Sequence, residues 1–95
     1  MKILNYKQSP HFQQRLTQRQ IDPFLVSMCL IKGDMKTMAR NKVEYVLHKE
    51  RIMQAIEQGY LLARDCLGLT SLTVVTRQNI LITAFAKFGD TGINC

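Results

Sequence analysis

The sequence predicts an α+β domain in which two N-terminal helices pack on a small antiparallel β-sheet, in the order α-α-β-β-α-β-β. Three observations lead there. Two proline-led segments near the N-terminus carry helix start signals, "SPHFQQRLTQR" and "DPFLVSMCLIKG". Two later stretches, "KVEYVLH" and "LTVVTRQNILITAFAKF", have the alternation and β-branched content of strands. The length of 95 residues supports one core and not two, so residues 1–95 form a single domain. Its core runs over about 9–88, with a loose tail at 89–95, "GDTGINC".

Each element has a local reason. Ser9 caps the first helix and Pro10 opens it, and Phe12 and Leu16 form an apolar i,i+4 pair, which sets a helix of about Pro10–Arg19. Asp22-Pro23 repeats the signal for a second helix, closed by Lys32 and Gly33. That helix is apolar all round and should lie deeper. Met35, Thr37 and Ala39 face Val43, Tyr45 and Leu47 across a turn at Arg40–Lys42, a β-hairpin. Glu44, Val46 and His48 then fall on the other face. Ile52, Ala55 and Ile56 start a third helix that Gly59 interrupts, and the continuation to Gly68 suits either a short helix or a loop. The last two strands turn tightly at "RQN".

Composition bounds the function. A 46% apolar fraction supports a packed interior, while the net charge of +6 favours an anionic partner: nucleic acid, an acidic protein or an anionic membrane surface. The longest apolar runs, "FLVSMCLI" and "ILITAFA", fall far short of a bilayer span, and "MKILNYKQSP" lacks the apolar stretch of a secretory signal; the expected compartment is the cytoplasm. Cys29, Cys66 and Cys95 match no C-x-x-C spacing, which suggests neither a disulfide scaffold nor a zinc site, and Cys29 reads as a small core residue. No Walker loop, G-x-G-x-x-G, H-E-x-x-H or serine elbow occurs. No metal or cofactor is expected.

The first helix carries the most suggestive pattern. His11, Arg15 and Arg19 recur every four residues, drifting only about 40° per step, with no acidic residue before Asp22. Like charges at this spacing repel, so an external anion would compensate them. The first-turn position and the nearby arginines favour a neutral imidazole, the form a general base needs. Guanidiniums offer forked donors for phosphate oxygens. The same spacing also suits a plain solvated basic face.

His48 is a candidate acid partner for His11, or an inert strand histidine. Thr83 shares a strand face with Leu81 and Phe85 by alternation; it reads as an ordinary β-former or as a hydroxyl that orients a phosphate. Lys36, Arg40 and Lys42 cluster about the first hairpin, where Tyr45 offers a ring for base stacking. Glu44 and Glu50 dilute that patch.

The run His11-x3-Arg15-x3-Arg19-x-Ile21, the apolar helix closed by Gly33 and the terminal hairpin "LTVVTRQNILITAF" together resemble small bacterial ribonuclease-toxin domains of the barnase/EndoU/colicin/RelE superfamily. The likeness spans roughly residues 9–88. It implies two helices on a curved antiparallel sheet, RNA on the concave face, and metal-free cleavage that leaves a 2′,3′-cyclic phosphate. By position it implies His11 as base or acid, Arg15 and Arg19 as phosphate ligands or structural cations, and Thr83 as a hydroxyl lining the site. His48 has no counterpart there. The middle segment "KERIMQAIEQGYLLARDCLGL" departs from the pattern in reading as helical. Three classes follow: a metal-independent, toxin-like endoribonuclease acting on RNA and neutralised by an acidic antitoxin; a non-catalytic nucleic-acid-binding module; and a protein-interaction or immunity domain for an acidic partner.

Overall fold

Both proline-led start signals work as caps. The computed structural model describes residues 6–66 and 68–89. In it Ser9 Oγ accepts the Phe12 N–H at 3.1 Å ahead of helix α1, Pro10–Gln18. An Asp22 carboxylate oxygen accepts the Phe24 N–H at 2.9 Å ahead of helix α2, Pro23–Lys32. Helix α1 ends because Gln20 turns left-handed, with φ of 52°. That lets Ile21 N–H reach back to the Leu16 carbonyl at 3.0 Å, so that the last turn's acceptors are used.

The chain continues through β2 (Asp34–Thr37), β3 (Lys42–His48), α3 (Lys49–Glu57), a 3-10 turn (Ala63–Cys66), β4 (Leu69–Arg77) and β5 (Ile80–Phe88), while a short β1 (Lys7–Gln8) precedes α1. Gly59, with φ of +84°, ends α3, and Tyr60 N–H closes that end on the Ala55 carbonyl at 2.8 Å. Of the two continuations open after Gly59, the short helix is realised, as the 3-10 turn.

The architecture is α+β, as expected, but the sheet is mixed and larger. Its order is β1-β5-β4-β3-β2, antiparallel throughout except for β1, which runs parallel to β5. Two residues are too few to show any period, so β1 is invisible in the sequence. It forms because Ser9 is anchored twice to β5, through its N–H to the Leu81 carbonyl at 3.2 Å and its hydroxyl to the Ile82 carbonyl at 3.3 Å.

The first hairpin turns one residue earlier than its composition suggests. Arg40 and Asn41 adopt φ of 62° and 61°, while Lys42 already belongs to β3 and Ala39 to the connection. The second hairpin turns at Gln78-Asn79, both left-handed, a two-residue loop whose twist matches the strands.

All three helices lie on one face of the sheet. Phe12, Val26, Cys29 and Ile52 pack there against Leu47, Leu72, Val74, Leu81 and Ala84. The Cys29 thiol donates to the Tyr45 carbonyl at 3.2 Å and the Leu72 carbonyl at 3.4 Å, and burial pushes its pKa up to about 12. Alternation sends Glu44, Val46, His48, Thr73 and Val75 to the opposite face, on which no described helix packs. Thr83 and Phe85 pair with Val75 and Thr73 there and do not share the face of Leu81 as expected, because the register shift between Val75 and Thr76 skips Ile82. Among the described residues, no helix is long and apolar enough to cross a membrane. Residues 90–95 of the expected tail, with Cys95, lie outside the described residues.

Candidate functional site

The exposed edge of α1 is built by helical spacing alone. Phe12 is fully buried, which fixes the helix's rotation and leaves His11 exposed and Arg15 half-buried at the margin. One turn apart, the two side chains meet: Arg15 Nε–H donates to His11 Nε2 at 3.3 Å. A guanidinium has no acceptor, so Nε2 must present its lone pair, and the ring hydrogen then sits on Nδ1. Neither Arg15 nor Arg19 has an ion pair among the described residues. Arg19 falls just past the last helical residue, as the cap whose N–H bonds the Arg15 carbonyl at 3.0 Å, and its exposed side chain bonds neither His11 nor Arg15. The structure therefore joins two members of the stripe and leaves the third beyond the helix end.

Thr83 and His48 are placed elsewhere. Ala84 and Leu47 point into the helix-covered core, so their neighbours Thr83 and His48 belong to the open face. Thr83 sits opposite Val75, half-buried. The His48 Nε2 lies 3.5 Å from an Asp34 carboxylate oxygen, tying the end of β3 to the start of β2. His11 stands on a helix packed against the other side of the sheet. The pairing of the two histidines as acid and base is not assembled, because strand alternation places an i+1 neighbour of a core residue on the far face.

The hairpin residues divide the same way. Lys36 sits opposite Glu44, and Lys42 opposite Arg77, on the open face; Arg40 is exposed in the turn. Tyr45 is a correction. It lies on the helix side, packed against the core, with its hydroxyl 3.4 Å from that of Tyr6, and so cannot present its ring beside Lys36 and Lys42. That hydroxyl contact, with burial, raises the Tyr6 pKa to about 12.

The sheet register brings together cations that sequence distance hides. Lys42 pairs with Arg77, Arg77 with Ile80, and Ile80 with Lys7, so one row across β3, β4, β5 and β1 carries three cations at the end of the open face beside Arg40. Arg77 and Lys7 escaped the sequence reading because 70 positions separate them. Among the described residues no cluster of three His, Cys, Asp or Glu side chains could hold a metal ion. The chain matches no family model, no curated protein and no solved structure.

Proposed function

We propose that this chain is a metal-independent endoribonuclease of the small toxin type, acting on RNA in the cytoplasm and neutralised by an acidic partner protein. The observation that carries the reading is the His11–Arg15 contact: an exposed imidazole with its lone pair on Nε2, held by a guanidinium that no carboxylate among the described residues neutralises. Arg15 is available to shift from His11 to a phosphate oxygen, where a forked cation stabilises the charge that builds during displacement. His11 Nε2 is then free to take the proton of a ribose 2′-hydroxyl. The 2′-oxygen bonds to phosphorus and the bond to the 5′-oxygen breaks. The products are a 2′,3′-cyclic phosphate and a 5′-hydroxyl, whose proton comes from water. Arg19 and the cation row supply longer-range attraction for the polyanion.

The test is cleavage of a mixed-sequence RNA in EDTA, with the product ends identified. His11→Ala is expected to lower the rate by ~10²–10⁴-fold while the fold survives, because the side chain is exposed. A cyclic phosphate from the wild type and none from His11→Ala is the expected pair of results. No cleavage by the pure wild-type protein, together with normal growth on induction in bacteria, overturns the reading.

A second reading is favoured by the distance in the fold between His11 and the open-face pair Thr83 and His48. A single imidazole without an acid partner suits a non-catalytic module that binds RNA through the same cations. It predicts salt-dependent binding, weakened similarly by Arg15→Ala and Arg19→Ala, with no product formed.

A further inference from the structure

A cavity of about 240 Å³ opens between α3 and the adjoining ends of β4 and β5. Its helical wall is a single stripe: Lys49, Ile52, Met53 and Ile56 follow one another at i, i+3, i+4 and i+7. The wall across from it is made partly of glycine. Gly68 and Gly89 are joined by a hydrogen bond from the Gly89 N–H to the Gly68 carbonyl at 2.8 Å, and neither fills the space with a side chain. A Cβ on Gly68 would meet nothing nearer than the Phe88 ring, at 3.8 Å. The space is therefore a consequence of which residues lie opposite the stripe.

The lining is sorted by polarity. Ile52 and Leu69 form a buried apolar floor, while Met53 and Phe88 remain 53% and 64% exposed. Phe88 pairs with Leu69, so the two side chains share the helix-covered side of the sheet. Large apolar side chains left open to water about an apolar hollow mark a place that a ligand covers. The Thr70 hydroxyl is already spent on the Lys87 carbonyl at 3.0 Å, which leaves little hydrogen bonding for a nucleobase. Of the described residues lining the cavity, Lys49 alone is charged, and it has no ion pair among the described residues. The acidic residues of α3, Glu50 and Glu57, each come one position after a member of the stripe, about 100° round the helix, and neither lines the cavity. The stripe thus has a cation at one end and Ile56 at the other, about 10 Å along the helix axis.

We infer that this cavity binds a medium-chain fatty carboxylate, its alkyl chain laid along Ile52, Met53 and Ile56 and its carboxylate at the Lys49 ammonium. A volume below the ~300–1,000 Å³ of drug-sized sites suits one short alkyl chain. The net charge of +6 favours an anion over a cation of the same shape. The site shares no residue with the His11–Arg15 contact, so it stands apart from the ribonuclease reading.

The probe is sodium octanoate, kept below the concentration at which it forms micelles and titrated into the full chain. Methyl resonances locate the binding. The expected result is saturable shifts at Ile52, Met53, Ile56 and Leu69, with affinity falling ~4-fold for each methylene removed from the chain. Methyl octanoate and octylamine, which lack the carboxylate, should bind ~2–5-fold more weakly, the worth of one exposed ion pair. Lys49→Met leaves the fold intact, because the side chain is exposed, and should erase the preference for octanoate over its methyl ester. It should keep the dependence on chain length. No saturable binding, shifts centred on other residues, affinity that ignores chain length, or equal binding of octanoate and its methyl ester by the unaltered protein would each overturn the proposal.

Discussion

At the residue scale the decisive contrasts are between neighbours. Phe12 is buried and His11 is exposed; Ala84 faces the core and Thr83 faces away. Helical rotation keeps His11 beside Arg15, four positions on, whereas strand alternation parts His48 from Leu47, one position back. The hydroxyl pair of Tyr6 and Tyr45 gives a prediction of its own. Tyr6 has its pKa raised from 10.0 to about 12, so the folded state holds that proton more tightly than the unfolded chain. The sign follows: the stabilisation is fully present below pH 10 and is lost as the pH climbs from 10 toward about 12. Ultraviolet titration should show a late tyrosine whose midpoint falls toward 10.0 in Tyr45→Phe, which removes the first cause of the shift.

At the scale of elements, glycine and left-handed residues set the joints. Gly33 has φ of −75°, which any residue adopts, so its need is spatial and not conformational. A Cβ there would run into the Cys29 carbonyl and stand 3.0 Å from the Val46 carbonyl oxygen. Backbone lies on both sides and cannot swing away. Gly33→Ala should therefore cost about 1–3 kcal/mol, the range for overpacking, measured by denaturant unfolding. An unchanged midpoint would mean that α2 can slide on β3. The last turn offers the reverse effect. Gln78 and Asn79 both hold positive φ, at 49° and 65°, and glutamine is poorly suited to that region. The double change Gln78→Asn with Asn79→Gly supplies the residues that this hairpin loop prefers. It should stabilise by ~0.5–1 kcal/mol, seen as a melting temperature raised by about 2–8 °C.

At the scale of the molecule, charge is organised by the sheet. Lys42, Arg77 and Lys7 come from three distant stretches and share one row only because β1 joins β5 and β5 joins β4. If that row meets RNA phosphates, as proposed, affinity should fall with rising salt. Arg77→Gln should then reduce the slope of log K against log salt by about 0.7, the value for one phosphate on a single strand. An unchanged slope would place RNA on the α1 edge alone.

The start caps at Ser9 and Asp22, the three helices and both hairpins were legible before any coordinates, whereas on β5 the expected grouping of Leu81 with Thr83 and Phe85 fails, because the register shift after Val75 puts Leu81 in the core with Ala84. The caps, helices and hairpins rest on interactions between residues a few positions apart, and those are written directly in the order of the side chains. The His11–Arg15 contact was legible for the same reason. The parallel edge strand, the cation row, the turning of Tyr45 toward Tyr6 and the separation of His48 and Thr83 from His11 were decided only by tertiary structure. Each depends on which strands become neighbours and which face the helices cover, a choice made by packing across long stretches of chain that no local pattern encodes.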